Sequence, residues 1–292
     1  MLTALQTEQT IGSQIRNLSR EDLPRNQDAR RAYATVRVAH GFKDRPGLFL
    51  SDETDITKLS VGIGRHTLAL ALPPAMSSGL ADLCPWEDNC AGPCVGTGGS
   101  NRYESAARGK TARLALLLTD APSALALICH GLDLAVSKYG PHGVGMRLNT
   151  YSDLRWERIL PTWFWDRYAS VAFYDYTKHS LRSRPAASLP ANYRLTYSVS
   201  PRSTDAEICR QRDAGRSVAV VVTVRGGKDR QTGSYRPLPV DADGTATVDG
   251  DMDDRRYTDP PGSVVMLRRK NGLGAEDPLV VSDARLGRIL ET

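Results

Sequence analysis

From Leu68 onward, short and nearly unbroken apolar runs alternate with stretches of helical spacing, and no other feature of the chain constrains its fold as much. The runs are Thr67–Leu72, Gly145–Asn149, Ser170–Tyr176, Arg194–Ser198, Val218–Val224, Ala246–Asp249 and Val264–Arg268. Strands covered on both faces read as such runs, and they belong to parallel sheets. Between them, Tyr103–Leu117, Ser123–Tyr139, Asp153–Arg167 and Thr204–Asp213 read as helices, with Asp120–Pro122 and Gly215 as breaks. A succession of βα units predicts an α/β fold, a partial or complete (β/α) barrel of the TIM type, with an open doubly wound sheet as the alternative. The expected organisation is an N-terminal arm over residues 1–57 with short helical pieces, followed by one barrel-like domain over 58–292.

A chain of 292 residues with 40% hydrophobic and 24% charged residues can bury a substantial core, which excludes wholesale disorder. Its longest apolar runs, Leu114–Leu118 and Val218–Val224, fall far short of the roughly 20 residues a membrane-spanning helix needs. No membrane association is expected. The first thirty residues carry Arg16, Arg20, Asp22, Arg25 and Asp28 without an apolar core, so no secretory signal is read and a cytoplasmic location is expected.

In such barrels the chemistry lies in the loops after the carboxyl ends of the strands. After the first strand comes Cys84-Pro-Trp-Glu-Asp-Asn-Cys90-Ala-Gly-Pro-Cys94, three cysteines within eleven residues. In a reducing compartment this clustering points to a metal site rather than a disulfide scaffold. Thiolates select zinc or iron–sulfur clusters, and three of them leave a coordination position open. With a four-iron cluster, the unligated iron would bind and cleave S-adenosylmethionine. With zinc, His66, His130 or a water would complete the site. Cys129 and Cys209 sit in helical stretches among apolar neighbours and read as packing residues.

The blocks CPWEDNCAGPC, AARGKTARLALLLTDA, VGMRLNTYSDLRWE, VAFYDYTK, LPANYRLTYSVS and TVDGDMDDRRYTDP, in this order, resemble the bacteriophage "gene product 88" family over about residues 60 to 282. The RLNTYSDLRWE and FYDYTK blocks are its specific part. The resemblance implies a phage or prophage context, hence the host cytoplasm, and brings no reaction with it. A more distant likeness is to radical S-adenosylmethionine enzymes, whose three-cysteine loop also follows the first strand of a partial barrel; there the pattern is CxxxCxxC, and here both gaps are longer. A third likeness, to barrel-type guanine transglycosylases, rests on polar strand ends and a zinc site, although their metal cysteines lie late in the chain.

At the remaining strand ends, Asp153, Asp175 and Lys178 are the candidate catalytic groups, since a buried Asp–Lys pair can tune an acid or base toward neutral pH. The same pair also serves as a structural ion pair. Arg147, Asn149, Ser152, Tyr176, Ser198, Asp249 and Asp251 are candidate substrate-binding residues. Period-two alternation puts Arg147 and Asn149 on one face, and Tyr174 and Tyr176 on the face opposite Asp175. Five aspartates between Asp249 and Asp259 read as an ion-pair network with Arg255 and Arg256 rather than a calcium loop. Trp156, Trp163, Phe164, Trp165 and Tyr168 read as core.

The formal net charge is +5, and the segment from Lys178 to Arg202, with Arg182, Arg184 and Arg194, holds five cations and no acid. Arg102, Arg108, Lys110 and Arg113 form a second basic stretch. Together these suit a nucleotide or nucleic acid, or else a solvated basic face. The leading expectation is a metalloenzyme, iron–sulfur and radical-type, that modifies a nucleotide, nucleic acid or peptide. The alternatives are a zinc-containing, transglycosylase-like enzyme acting on nucleic-acid bases and a non-enzymatic, zinc-stapled DNA-binding protein.

Overall fold

A computed structural model describes residues 1–44, 47–52, 66–87, 90, 94–225, 238, 246–270 and 273–291. Its sheet comprises β1 (His66–Ala69), β2 (Val144–Arg147), β3 (Ala172–Thr177), β4 (Tyr193–Ser198), β5 (Val218–Arg225), β6 (Thr247–Asp249), β7 (Val264–Arg269) and β8 (Val280–Val281). All pair in parallel in the order β1-β2-β3-β4-β5-β7-β6, with β8 against β5. The result is an α/β half-barrel, the partial form of the expected architecture. The seven expected strands are all present. β8 is only two residues long, and the three-residue apolar run Leu279–Val281 that holds it is too short to read as a strand.

The helices are α1 (Ala4–Ile15), α2 (Asn26–Ala39), α3 (Glu104–Thr119), α4 (Ala121–Tyr139), α5 (Trp156–Ile159), α6 (Thr162–Arg167), α7 (Asp205–Asp213) and α8 (Asp283–Leu290). Asp120 separates α3 from α4 and caps the latter by accepting the Ser123 N–H at 3.1 Å. The single helix expected over 153–167 is two. Pro161 forces Leu160 into an extended conformation (ψ 144°) and supplies no N–H, so the chain turns there before α6 begins. Among the described residues no helix is long and apolar enough to cross a membrane.

The convex face of the sheet is covered by helices. Val144, Met146, Phe173 and Leu195 pack with Leu114, Leu125, Leu132, Trp156 and Phe164 in the main core. Ile11, Ile15, Ala29 and Tyr33, from the segment read as an arm, belong to the same core. The aromatic cluster is core as expected: Phe164 lies 5.0 Å from Tyr168 and 5.4 Å from Trp165, and Trp165 stacks on Tyr193 at 5.3 Å. A second core joins Val218, Val220, Val264 and Met266 to Ile208 of α7 and to Leu286 and Ile289 of α8.

The concave face is filled by the chain that follows β6. Arg147 donates to Asp254 Oδ2 at 2.5 Å, and the Tyr257 ring packs edge-on against Tyr174 at 5.2 Å. Arg194 donates to the carbonyls of Tyr257 and Asp259, each at 3.2 Å. Gly145 makes room for this plug, since a Cβ there would lie 3.2 Å from the Tyr257 ring.

Candidate functional site

Above the plug, at the carboxyl ends of β1 to β4 and of β7, lies a cavity of about 1180 Å³. Its wall includes Cys84, Cys90 and Cys94 from the loop after β1; Arg147, Asn149, Ser152 and Asp153 from the end of β2; Tyr176 and Lys178 from β3; and Ser198 from β4. These sequence-predicted residues meet because parallel strands deliver their ends to one rim.

Backbone ties hold the rim together. Asp82 accepts the Cys84 N–H at 2.9 Å, and the Asp153 N–H donates to the Leu83 carbonyl at 2.8 Å, so the cysteine loop is tied to the loop after β2. The Trp86 indole donates to His179 Nδ1 at 3.3 Å, while His179 Nε2 lies 3.2 Å from the Asp153 carbonyl oxygen. With Nδ1 accepting, the proton sits on Nε2, and both contacts are satisfied.

Several polar groups at the rim are committed to the fold. Asn149 Oδ1 accepts from the Ser152 hydroxyl at 2.9 Å, the Leu154 N–H at 3.0 Å and the Trp156 indole at 3.1 Å, and its Nδ2 donates to the Leu154 carbonyl at 2.8 Å. Asp153 Oδ2 accepts the Lys178 N–H at 2.7 Å, which fixes where β3 delivers Lys178 to the cavity.

Asp175, expected beside Lys178 at the mouth, is elsewhere. Tyr174 and Tyr176 face inward, so Asp175 lies on the helix-covered side, fully buried. There it accepts the Asn149 N–H at 2.8 Å and the Tyr193 hydroxyl at 2.7 Å. Burial raises its pKa to about 6, with Arg147, Tyr193 and Asn149 opposing the shift. Asp249 and Asp251 do not line the cavity but neutralise cations that do. Arg268 grips Asp249 through two bonds of 2.7 Å, Arg268 N–H donates to Asp251 Oδ2 at 2.7 Å, and Lys270 pairs with Asp251. The ion-pair reading of this acidic stretch therefore holds, with Arg268 and Lys270 added to Arg255 and Arg256.

Arg184, assigned from sequence to a basic groove, is fully buried between Glu157 (2.7 Å) and Asp153 (3.5 Å). Arg102, Arg108 and Arg182 lie away from the cavity wall, whereas Lys110 and Arg113 are part of it.

The three thiols share the cavity, and as soft donors they suit zinc or an iron–sulfur cluster. The described arrangement does not gather them at one point: among the described residues no three His, Cys, Asp or Glu side chains are placed to hold an ion. Residues 88–89 and 91–93 of the loop lie outside the described residues. Burial raises the Cys84 thiol to about 12 and also raises that of Cys94. Lys178 Nζ lies 3.3 Å from Cys90 Sγ; burial works against its charge, but Cys84 and Cys90 hold its pKa above the usual lysine value.

Sequence reasoning missed Asp254, Thr150, Arg268 and Lys270 as cavity residues. The strand-end rule applied to β7 would have found the last two. Nothing local marks Asp254, whose partner Arg147 is 107 residues away.

Fold and site together define an α/β half-barrel whose polar cavity opens at the carboxyl ends of its strands. The family model Gene product 88 matches residues 48–287, and the protein belongs to that family of phage proteins. No curated protein and no solved structure matches the chain.

Proposed function

We propose that the cavity is the active site of an enzyme that modifies a nucleotide, free or within a nucleic acid, and that Cys84, Cys90 and Cys94 supply the protein ligands of a metal centre in its wall. The observation that carries this reading is the composition of one wall. Among the described residues, the three thiols share it with seven Lys and Arg side chains and three carboxylates, Glu87, Asp153 and Asp254. With Arg268 and Lys270 neutralised from behind by Asp249 and Asp251, the other wall cations still outnumber these carboxylates, which favours an anionic ligand. The volume of about 1180 Å³ is ample for a nucleotide.

Our first choice for that centre is an iron–sulfur cluster with S-adenosylmethionine and our second is zinc, both being groups that thiolates hold. When bound, the cluster would supply the electron for reductive cleavage, and zinc would supply a polarising charge. The chain's own part is to bind and orient. Arg147, held by Asp254 and lying 5.4 Å from the Tyr176 ring centroid, forms the floor. Asp153 acts as a positioning residue through the Lys178 N–H.

The test is purification without oxygen, followed by iron, sulfide and zinc analysis and by absorption spectroscopy. Iron with sulfide and broad visible absorption that a Cys84→Ser, Cys90→Ser, Cys94→Ser triple variant loses supports the cluster. Stoichiometric zinc in a colourless protein moves the reading to the zinc enzyme. Protein that binds neither metal overturns the metal centre.

A further inference from the structure

The cations around the cavity are not alike. Arg147 is paired with Asp254, Arg268 with Asp249 and Asp251, and Lys270 with Asp251. Two others, one turn apart on α3, are held differently. Lys110, only 4% exposed, donates to the Gly96 carbonyl at 2.5 Å and to Asn101 Oδ1 at 3.3 Å, with the Tyr151 ring centroid 5.0 Å away. Arg113 donates to the Phe49 carbonyl at 2.7 Å and to the Leu48 carbonyl at 3.3 Å. Every one of these acceptors is a neutral oxygen, and among the described residues neither cation has a carboxylate partner.

Lys110 is drawn out of water without a carboxylate partner and beside a second cation, the half-buried Arg113, and both circumstances oppose folding. Backbone carbonyls nevertheless fix both against the cavity. Beside them α3 presents Ala106 and Gly109 to the cavity, a methyl group and a bare backbone that take up little of its space. A third group lies in the same wall. Thr150, next to Tyr151, is 7% exposed, and its hydroxyl has no hydrogen-bond partner among the described residues. An ammonium, a guanidinium and an unsatisfied hydroxyl form a donor set that matches a multiply charged oxyanion better than a single carboxylate.

We infer that α3 carries the phosphate subsite of this cavity, with Lys110, Arg113 and Thr150 binding the phosphate group of a nucleotide, whether a free monoester or a diester within a strand. The inference rests on the cavity being a ligand site, as proposed above, but not on the metal centre. It also orients the ligand. Toward β5 and β7 the wall carries the apolar side chains Val199, Val221, Leu267, Leu273 and Leu279 beside Arg268 and Lys270, whose charges are already paired with Asp249 and Asp251. These apolar side chains suit the base of the same nucleotide.

Calorimetric titration of the full-length protein with inorganic pyrophosphate, nucleoside monophosphates, the parent nucleosides and a short single-stranded oligonucleotide tests this. The expected result is binding of pyrophosphate and of at least one phosphorylated nucleoside, weakened about tenfold or more by Lys110→Met and by Arg113→Met, and less by Thr150→Val. Arg210→Ala, at an exposed position of α7 outside the cavity wall, should bind as the wild type does. A monophosphate that outbinds the oligonucleotide identifies the free nucleotide as the source, and the reverse identifies the strand. As a second readout on the unaltered protein, pyrophosphate should shield Lys110 from amine acylation. The subsite is overturned if nucleosides bind as tightly as their phosphates, if both Met variants bind like wild type, or if pyrophosphate neither binds nor shields Lys110. Phosphates that bind normally to both variants would remove the subsite and leave the proposed function standing. A failed metal analysis would do the opposite.

Discussion

Replacing Arg184 with Met should destabilise the protein severely, and because the side chain is sealed in the interior it should not alter any contact with a phosphate-bearing ligand. The guanidinium is fully buried and donates to Glu157 through Nε at 3.0 Å and Nη2 at 2.7 Å, to the Tyr193 hydroxyl at 3.0 Å and to Asp153 at 3.5 Å. One cation thus neutralises two buried carboxylates. Its removal strands both, and breaking a buried pair from one side costs about 3–5 kcal/mol, a large share of the roughly 5–15 kcal/mol that holds a domain together. Glu157→Leu combined with Arg184→Met removes one stranded charge and should recover about 2 kcal/mol or more relative to the sum of the single losses. Urea unfolding of the four proteins measures this cycle. A single-variant loss below about 1 kcal/mol, or strict additivity, would refute the argument that burial makes this pair indispensable. Where the proposed binding of a nucleic-acid strand is found, its salt dependence provides a second check, since a slope reduced by about one in the Arg184 variant would mean that Arg184 reaches a phosphate after all.

Asp175 titrates in the fold at about 6, above its unfolded value, so its ionised form is the less stable one inside the protein. Stability should therefore fall as pH rises from about 4 to about 6, by up to about 3 kcal/mol, and Asp175→Asn should flatten that slope in urea unfolding; parallel curves for the two proteins would contradict the assignment. Burial, with Arg113 adding to it, lowers Lys110 to about 8. Its charged form burdens the fold below that pH, so Lys110→Met should melt higher than wild type at pH 6.5, with the gap closing toward pH 10; a gap independent of pH would count against it. A Cβ on Gly143 would collide with the Tyr139 carbonyl, whereas one on Gly287 in α8 meets nothing within 4 Å. Gly143→Ala should lose about 1–3 kcal/mol and Gly287→Ala gain up to about 1 kcal/mol, as read from thermal melts.

Where the sequence predicted well, the signal was local and periodic. Val218–Val224 and Val264–Arg268 read as strands because β-branched runs are unambiguous, and the Asp120–Pro122 break marked the α3–α4 boundary within two residues. Alternation along β3 correctly set Asp175 on the side opposite Tyr176. What alternation did not reveal is that the side Asp175 takes is the covered one, which removes it from the mouth. The strand-end rule brought Cys84, Cys90, Cys94, Asp153 and Lys178 to one cavity, yet it was silent on which polar atoms remain available. Asn149 read as a substrate-binding residue, and its side chain proves to be the clasp of its own loop. The run from Lys178 to Arg202 counted as uniform positive charge, although Arg184 within it is sealed in the interior.

The sequence by itself determined the repeating βα order, the parallel sheet and the convergence of strand ends on one rim, because these follow from periodicity and from chirality rules that act over tens of residues. Only the tertiary structure decided how each charge is used. Arg147 meets Asp254 across 107 residues, while Lys110 meets no carboxylate among the described residues. The physical reason is that the free energy of a charge depends on its burial and on its partners, and distant segments of the chain supply both.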